Sequence, residues 1–525
     1  MHRQTFYIAA PVTLAAILVL GALWHPVLWL LLLWLPLAVV GWRDLSSTQN
    51  VLYNYPIIGH LRYLLEFVRP ELRQYFFESE TSGRPFSREQ RNLIQARAIG
   101  AGDTSPFGTV RDVSAPGYNF SYHSIQPGEV PESERWITIG GSQCTRPYRS
   151  SRLNISAMSF GSLSGNAVEA MNLGAQQGGF AHDTGEGAIS RYHEKHGGDL
   201  IWELGTAYFG CRQKNGRFDA DTFREKARRE QVKMIEIKIS QGAKPSHGGL
   251  LPGSKVNQEI AETRQIAVGE DCASPASHPE FSTPRELLAF VAQLRELSDG
   301  KPVGIKLALG IRREFLSICK AMVETGTRVD FIVIDGAEGG TGAAPQEFSD
   351  SLGVFIDEAL PFVDSALRGA GLRDEIRLVA SGKVALGYDM VTKIALGADL
   401  CNAARPFMFA VGCIQARRCH TNHCPTGVAT QDARRAGAID VPEKAERVAR
   451  YHRATLDGFA ELVGAMGLSR FDALTPDHIR HRISYAPAEG HTAFEWPRLA
   501  TGQLLGDDLP PEWQAEWAAA AVDRF

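Results

Sequence analysis

Short apolar segments alternate with longer amphipathic segments through the middle of the chain, residues 153–405. Runs of this kind separated by helical stretches predict a parallel sheet, and eight of them predict an α/β fold of the TIM (β/α)8 barrel type. An open, doubly wound sheet is the alternative. Helices are predicted between most strands, for example over 284–297, 312–326 and 388–396. The predicted strands are LNISAM (153–158), GFAHD (179–183), the weaker LIWELG (200–205), MIEIKIS (234–240), VGIKLAL (303–309), FIVIDGA (331–337), IRLVASG (376–382) and DLCNAAR (399–405).

Two apolar stretches without a charged side chain, residues 5–24 and 26–42, precede this pattern. Each is long enough to cross a hydrocarbon core of about 30 Å, so the pair predicts a transmembrane hairpin with a tight turn at residues 25–26. Arg3 and Arg43 flank the pair, which places both ends, and the catalytic body, on the cytoplasmic side of the cell (inner) membrane. A signal peptide and a pair of buried core helices are the alternatives.

The pattern divides the chain into four predicted regions: a transmembrane hairpin (1–43), a helical and loop-rich lead-in (44–150), the barrel with its cysteine segment (151–435) and a helical carboxyl-terminal extension (436–525). Within the lead-in, apolar residues at helical spacing over 61–77 predict an amphipathic helix interrupted at Pro70. The extension is predicted to begin with a helix over 442–467.

Charge and cysteine content restrict the possible classes of function. The formal net charge is −4 and the pI is about 6.4, which gives no reason to expect a nucleic-acid partner. Eight cysteines are present, and five of them are scattered along the chain, which argues against a disulfide framework and favours a reducing compartment.

The other three cysteines, Cys413, Cys419 and Cys424, form a C-x5-C-x4-C run followed by Pro425. Soft thiolates at this spacing favour an iron–sulfur cluster. A zinc site completed by a nearby histidine is an alternative, although the gaps are wider than in usual zinc knuckles. Three structural thiols without a metal are the other alternative.

The cysteine segment GCIQARRCHTNHCPTGVATQ (412–431) resembles the 3Fe-4S segment of the glutamate synthase large subunit. Five earlier segments resemble the same family in the same order, so the resemblance covers about residues 130–435. It implies that the three cysteines hold a 3Fe-4S cluster beside FMN. The earlier segments are AMSFGSLS (157–164), DTGEGAIS (183–190), EIKISQGAKPSHGGLLPGSKV (236–256), DGAEGGTGAAP (335–345) and SGKVALGYD (381–389).

Glycine-rich loops after the late strands are suited to phosphate binding, because they present backbone amides at the start of helices. Tight strand-to-helix turns are the alternative. Lys306 lies in an apolar strand, so it either extends toward solvent or points into the barrel mouth, where it could stabilise a reduced flavin. The resemblance implies that the following residues bind FMN: Ala157, Met158, Ser159, Lys306, Gly340, Gly342, Ser381, Gly382, Ala404 and Arg405.

Glu186 lies between two glycines and is the predicted catalytic residue, with a salt bridge or a helix cap as the alternative. The family resemblance implies that it handles protons and ammonia. Lys238, Lys244 and Arg264 are the predicted substrate-binding cations, because two carboxylates of a 2-oxo acid need positive partners; solvated surface charge is the alternative. The resemblance departs at Leu250, where the family carries a glutamine.

The expected activity is reductive amination of a 2-oxo acid, most specifically 2-oxoglutarate, by ammonia or an amine. No G-x-G-x-x-G occurs in a strand-turn-helix context, so electrons are expected from an external donor protein. The resemblance does not extend to a glutaminase domain or to a carboxyl-terminal β-helix, so ammonia is expected to arrive free or from a partner. Alternatives are an amino-acid or hydroxy-acid dehydrogenase that reduces quinone and a non-enzymatic electron-transfer or scaffold subunit.

Overall fold

The computed structural model describes residues 2–484, 489–490 and 496–525. The chain forms two compact units, Met1–Arg88 and Glu89–Phe525. Each has its own helices, and only the second contains β-structure among the described residues.

The first unit begins with two apolar helical segments, Arg3–Leu23 and His25–Asp44, each long and apolar enough to cross a membrane. A turn forms at residues 25–26 as expected, closed by a hydrogen bond from the amide of Val27 to the carbonyl oxygen of Trp24 at 3.1 Å. It continues as a 3-10 helix, His25–Leu30, which leads into the α-helix Leu31–Asp44. The proline at its start fixes the first turn without needing an amide donor. The two segments are joined by a hydrogen bond from Trp34 Nε1 to Thr13 Oγ1 at 2.9 Å.

The rest of the first unit consists of short helices, Asn50–Asn54 and Gly59–Leu72, and a π-helical turn, Arg73–Phe77. The helix expected to break at Pro70 instead continues through it. Pro70 lies in the last helical turn, where the loss of one amide donor costs little, and the chain then changes to π-helical spacing.

The second unit contains a closed barrel of eight parallel strands in sequential order, with the last strand paired to the first. The predicted barrel is therefore confirmed and the open doubly wound sheet is excluded. The weaker eighth strand is confirmed as β3. The strands are β1 (Leu153–Ile155), β2 (His182–Asp183), β3 (Leu200–Leu204), β4 (Val232–Lys238), β5 (Val303–Leu307), β6 (Phe331–Asp335), β7 (Arg377–Ser381) and β8 (Leu400–Ala403).

Several strands end earlier than their apolar pattern predicted. β1 stops at Ile155, and Ala157, Met158 and Ser159 already belong to the following loop. β2 contains only His182 and Asp183. The loops after the strands are apolar because they are buried in the barrel mouth, so composition alone does not mark where pairing stops.

Helices cover the outside of the barrel, and the chain beyond it is also helical. The barrel helices are Gly165–Gly178, Arg191–Glu194, Ala220–Ala227, Gln258–Arg264, Pro284–Leu297, Arg312–Thr325, Gln346–Ser351, Ile356–Gly369, Gly387–Ala395 and Arg405–Val411. Ala433–Ala436, Val441–Ala465 and Pro511–Ala519 follow, with 3-10 turns at Phe471–Ala473, Pro476–His478 and Gln503–Leu505. A hairpin of Trp136–Ile139 and Tyr148–Ser151 precedes β1; Leu250–Leu251 pairs with Cys272–Ala273, and Asn119–Phe120 with Arg480–His481, which also pairs with Glu489–Gly490.

The barrel interior has two different layers. The layer toward the amino ends of the strands is apolar and is closed by two residues of the hairpin, Ile139 and Tyr148. Two residues further along the strands the interior becomes polar, for example from Ile201 to Glu203 in β3 and from Met234 to Glu236 in β4. This change places charged groups directly beneath the carboxyl-terminal mouth, where enzymes of this fold carry their chemistry.

Candidate active site

Glu186 lies in the loop after β2, at the carboxyl-terminal mouth of the barrel. Three glycines make room for it: a Cβ at Gly249 would lie 2.4 Å from Glu186 Oε1, one at Gly205 would lie 2.8 Å from Glu186 Cβ, and one at Gly185 would lie 2.7 Å from the amide of Ser159. Gly185 also has a φ of +62°, which disfavours any other residue. The predicted catalytic glutamate therefore packs against the loop predicted to contact the flavin ring.

Cations surround the Glu186 carboxylate. Lys238 Nζ donates a hydrogen bond to Glu186 Oε2 at 3.1 Å, and the Glu186 side chain is 18 % exposed. Burial alone would raise the pKa of Glu186, but the charges of Lys238, Arg264 and Lys244 outweigh it and hold the pKa below its usual value. Glu186 is therefore ionised at neutral pH and able to accept a proton.

Arg264 is fixed beside this carboxylate by its backbone and aromatic neighbours. Its Nη2 donates to the carbonyl oxygen of Phe160 at 2.8 Å, and its guanidinium lies 5.2 Å from the ring centre of Phe209. A Cβ at Gly187 would lie 3.0 Å from Arg264 Nη2, so glycine is needed for this approach. The side chain is buried, which excludes the interpretation of Arg264 as solvated surface charge.

Lys244 is also buried, and its Nζ donates to the carbonyl oxygen of Gly248 at 2.6 Å. Burial lowers the pKa of Lys244, while the nearby Glu186 carboxylate opposes that shift. Leu250, where the resemblance departs from the family, is 41 % exposed. The three predicted substrate cations are thus brought together around Glu186, and Leu250 lies next to Gly249, which contacts the same carboxylate.

A chain of ion pairs leads from Glu186 into the barrel. Lys238 Nζ also lies 3.7 Å from Glu203 Oε1, and Glu203 Oε2 accepts a hydrogen bond from Lys306 Nζ at 2.8 Å. Burial works against the charge of Glu203, but Lys306 and Lys238 outweigh it and hold the Glu203 pKa below its usual value. Lys306 therefore has a carboxylate partner in the core, beneath the mouth for which it was predicted.

The residues predicted for the FMN phosphate meet at the loops after β6, β7 and β8. Ser381 Oγ donates to Asp335 Oδ1 at 3.1 Å, and a Cβ at Gly340 would lie 2.9 Å from Arg405 Nη1. Ala404 and Arg405 begin the helix that follows β8. An arginine against a glycine loop at a helix start is a donor set that suits a phosphate.

One acidic group at this end was not predicted from the sequence. Glu338 Oε1 lies 3.2 Å from the position of a Cβ on Gly382, and Glu338 Oε2 accepts from the amide of Ile356 at 3.3 Å. Burial raises the pKa of Glu338, so this carboxyl tends toward its neutral form. A neutral carboxyl is compatible with a neighbouring phosphate, whereas a carboxylate would repel it.

The cysteine segment follows the helix Arg405–Val411 through Gly412, whose φ is +127°. Hydrogen bonds from nearby backbone amides and a threonine hydroxyl hold the pKa of Cys424 below its usual value although burial opposes this. A Cβ at Gly342 would lie 3.2 Å from Cys419 Cβ, so the predicted FMN loop and the cysteine segment are in contact.

Lys255, which the sequence did not single out, secures the same segment. It is 3 % exposed, and its Nζ donates to the carbonyl oxygens of Cys419, Ser162 and Ala429 at 2.7, 3.3 and 3.3 Å. Its positive charge lies near Cys419 and Cys424. A buried lysine in the sequence GSKV looks like a surface residue, so no sequence signal identified it.

One group of potential metal ligands lies inside the barrel. Across the described parts of the chain, one group of three His, Cys, Asp or Glu side chains has its ligand atoms within 4.8 Å of one another, and it is Asp183, Glu203 and Glu236. All three side chains are buried.

Comparisons with known proteins identify the relatives of this chain. The family profile described as a conserved region in glutamate synthase matches residues 130–469. The glutamate synthase large subunit-like protein YerD of Bacillus subtilis (strain 168) is 36 % identical over 492 residues, which cover 85 % of this chain and 93 % of that protein. An archaeal glutamate synthase (NADPH) of Archaeoglobus fulgidus is 34 % identical over 61 % of this chain and 59 % of its own length. Among solved structures, a mandelate oxidase variant with (S)-mandelic acid aligns at a TM-score of 0.41 and 15 % identity, covering 74 % of this chain and 94 % of the oxidase.

Proposed function

The chain belongs to the glutamate synthase family, and from that premise we propose that it catalyses reductive amination of a 2-oxo acid with FMN and a 3Fe-4S cluster. The observation that carries the proposal is the single carboxylate, Glu186, held among Lys238, Lys244 and Arg264 at the barrel mouth. Such a site offers cations for a carboxylated substrate and a base for its amination.

The proposed substrate is a dicarboxylic 2-oxo acid such as 2-oxoglutarate. Lys238, Lys244 and Arg264 carry three positive charges against the one negative charge of Glu186. The excess of positive charge matches a dianion, because buried charges are stable only when they are compensated. Leu250 offers apolar contact where the family offers an amide, so we expect it to affect affinity for the substrate more than the chemistry.

Glu186 is the proposed proton carrier of the amination. In its ionised form it accepts a proton from the incoming ammonium or amine, which then attacks the substrate carbonyl carbon. The protonated Glu186 returns the proton to the oxygen that leaves as water, so the substrate becomes a protonated imine and Glu186 is a carboxylate again. The three cations hold the pKa of Glu186 low, which keeps the carboxylate ionised before the first step and favours release of the proton in the second.

The loops after β6 to β8 are the proposed FMN site, with Arg405, Gly340 and Gly382 at the phosphate and the loop Ala157–Ser159 at the ring. FMN, when bound, supplies the hydride that reduces the imine carbon. Lys306 would contribute positive charge toward a bound flavin, and Arg405 would compensate its phosphate.

Cys413, Cys419 and Cys424 are the proposed ligands of the 3Fe-4S cluster, which passes electrons from an external donor protein toward the flavin site. The contact between Gly342 and Cys419 supports this, because it joins the cysteine segment directly to the FMN loops. Lys255 would help to hold the segment in place through the carbonyl oxygen of Cys419.

The two apolar amino-terminal segments are the proposed membrane anchor in the cell (inner) membrane. The proposal is supported by their length and hydropathy, with mean hydropathy values of 2.2 and 1.8, and by the arginines that flank the pair. The same segments favour a second candidate function, in which an amino or hydroxy acid is oxidised and electrons pass to membrane quinone.

An anaerobic reoxidation experiment tests the proposal. The flavin of the purified full-length protein is reduced chemically, and its absorbance is followed after addition of 2-oxoglutarate, with and without ammonium. Rapid reoxidation that requires both compounds is expected. In Glu186→Ala the flavin spectrum should persist while the reoxidation rate falls by about 10²–10⁴-fold, the usual contribution of a general acid–base group.

Three outcomes would contradict the proposal. Reoxidation by neither compound, with normal cofactor spectra, would mean that the barrel acts on another substrate. Reduction of added quinone by an amino or hydroxy acid would favour the second candidate. An unchanged rate in Glu186→Ala would remove Glu186 from the chemistry, and Glu194→Ala, which removes a carboxylate outside the barrel mouth, is the matched control.

A further inference from the structure

Three carboxyl groups meet inside the barrel beneath Glu186, on strands β2, β3 and β4. They belong to Asp183, Glu203 and Glu236, their oxygen atoms lie within 4.8 Å of one another, and all three side chains are buried. No backbone or side-chain donor among the described residues is hydrogen-bonded to either oxygen of Glu236. Buried polar groups in folded proteins almost always have partners, so this carboxyl group calls for an explanation.

The charged groups that face Glu236 do not include a closely paired cation. Lys306 Nζ lies 2.8 Å from Glu203 but 3.8 Å from Glu236, and Lys238 is directed to Glu203 and Glu186. Among the described residues, the charged groups around Glu236 are Asp183 on β2, Glu203 on β3, Lys238 on β4 itself and Lys306 on β5, with Asp335 on β6 adding negative charge near Lys306.

Three ionised carboxylates in this space would not be compensated. Lys238 already forms ion pairs with both Glu186 and Glu203. Lys306 pairs closely with Glu203 and lies farther from Glu236. An uncompensated charge in a water-free core costs several kcal/mol, and a carboxyl group avoids that cost by binding a proton. Glu236 is the member without a donor, so it is the member that gains most from protonation.

We propose that Asp183, Glu203 and Glu236 form an internal proton store, with Glu236 as the resting carrier, that exchanges its proton with Glu186 through Lys238. The role of Glu186 in this inference rests on the proposed function. The stored proton itself does not, because it follows from the arrangement of the core alone.

The transfer uses groups that already face one another, and it is balanced at each atom. Glu236 gives its proton to the Glu203 carboxylate. Lys238 donates a proton to Glu186 across 3.1 Å and recovers one from Glu203 across 3.7 Å. The net change converts Glu236 to a carboxylate and Glu186 to a carboxylic acid, and no electrons move. The transfer serves turnovers in which the amine arrives uncharged, because ammonium brings the proton to Glu186 itself. Solvent refills the store through the same groups.

The electrostatics of the three carboxyls support this division of roles. Burial, together with the charge of Asp183, raises the pKa of Glu236 well above its usual value. Burial and the charge of Glu203 raise the pKa of Asp183 to about 7. Glu203, in contact with Lys306, remains ionised. The store therefore contains a group whose pKa is raised, a group that titrates near neutrality and a carboxylate whose pKa is lowered, which links them to Lys238.

A divalent cation bound by the three carboxyls is the rival explanation. It would have to share the cavity with the Lys306 ammonium, which already contacts Glu203 at 2.8 Å. Two cations held in the same small, buried cavity repel each other strongly. A proton satisfies the same oxygens without displacing the lysine, so the geometry favours the proton.

Infrared spectroscopy of the full-length protein tests the stored proton. A protonated carboxylic acid has a carbonyl band that carboxylates and amides lack. We expect such a band at a pH well above 7, where Asp183 is ionised. We expect Glu236→Gln to weaken the band by the contribution of one carboxyl group while the protein retains its thermal unfolding midpoint, because glutamine has the shape of the neutral acid. Glu203→Gln is the matched control: it should retain the band but lower the midpoint, since it leaves Lys306 without its closest carboxylate.

Several results would overturn the stored proton. Absence of a protonated-acid band in the unaltered protein would do so even if Glu236→Gln failed to accumulate. Persistence of the full band in Glu236→Gln would reassign the proton. A stoichiometric divalent metal, present in the unaltered protein and lost in Glu236→Gln, would establish the rival site.

The link to Glu186 is tested by the pH dependence of turnover. Without the store, a turnover with an uncharged amine must take its proton from solvent, whose proton concentration falls tenfold with each pH unit. We expect the ratio of Glu236→Gln turnover to unaltered turnover to fall by up to about tenfold per pH unit above neutrality. A constant ratio would refute the relay while leaving the stored proton intact. If the unaltered protein shows no amination activity but retains the infrared band, the proposed function fails and the proton store stands.

Discussion

Gly249→Ala should move the Glu186 carboxylate without lowering the stability of the fold. The new Cβ would lie 2.4 Å from Glu186 Oε1, about 1 Å inside the 3.4 Å at which ordinary contact begins. The atom it meets is the tip of a flexible side chain, and Gly249 is not among the residues with positive φ. The carboxylate can therefore move away while the backbone stays in place.

The expected magnitude follows from that displacement. A shift of about 1 Å disturbs the 3.1 Å hydrogen bond between Lys238 and Glu186. Misplacement of a catalytic group by about 1 Å can cost about 10²-fold in rate, which corresponds to about 2.7 kcal/mol of activation free energy. Because no backbone strain is introduced, we expect the midpoint of thermal unfolding to change by no more than about 2 °C.

The assay is the anaerobic reoxidation rate together with thermal unfolding, measured on matched glycine variants. Gly310→Ala is the control without a contact, because a Cβ there meets nothing within 4 Å. Gly205→Ala is the opposite control, because its Cβ would lie 2.8 Å from Glu186 Cβ, which cannot move away, so stability should fall as well as rate. Equal reoxidation rates in Gly249→Ala and Gly310→Ala would refute the reasoning that the position of Glu186 controls the chemistry.

Three further predictions concern groups beneath and beside the site. Asp330→Ala should destabilise the protein by about 3–5 kcal/mol in chemical denaturation, because it leaves the buried Arg295, at 2.9 Å, without its carboxylate. Lys255→Met should lower the iron content of the purified protein, because it removes the 2.7 Å hydrogen bond to the Cys419 carbonyl oxygen and two others. The pKa of Asp183 is raised from 3.8 to about 7, so the stability provided by its bound proton is complete below about pH 4 and is lost as the pH rises through 7; Asp183→Asn should flatten this dependence of the unfolding midpoint.

Each of these three has a result that contradicts it. A cost below about 1 kcal/mol for Asp330→Ala would mean that the pair is not desolvated. Unchanged iron content in Lys255→Met, measured beside a Cys424→Ser variant that removes a proposed ligand, would show that the lysine does not hold the segment. An Asp183→Asn curve that keeps the slope of the unaltered protein between pH 4 and 7 would assign that slope to other groups.

The barrel could be predicted from the sequence because its strands are buried on both faces. A strand such as β6 therefore appears as a nearly continuous apolar run, and the helices between the strands carry a clear 3.6-residue periodicity. The ends of the strands could not be predicted in the same way. The residues after Ile155 and before His182 are as buried as the strands themselves, so hydropathy does not change where hydrogen bonding stops.

The mouth residues could be predicted because glycines and charges there stand out from their surroundings. Glu186 lies between two glycines, and Lys238 and Lys306 interrupt apolar strands. The structure places Lys238, Lys244 and Arg264 around the Glu186 carboxylate. The long segment between β4 and β5, which supplies Lys244 and Arg264, has no periodic pattern that predicts its path, so only the resemblance connected these residues to the site.

The core carboxyl groups, like the lysines, stand out in the sequence as charged residues within apolar strands. Their role depends on whether they point into the barrel or outward, which the sequence does not show. Glu203 and Glu236 each interrupt an apolar strand, and each lies two residues beyond an apolar residue that faces the barrel axis. A single charged residue in a strand can point outward to solvent, and only the closed barrel shows that these point inward, where Lys306 meets them. Well-packed apolar side chains in place of such a group are often at least as stabilising as the charges. The polar layer beneath Glu186 is therefore better explained by the protons it can hold than by the stability it provides.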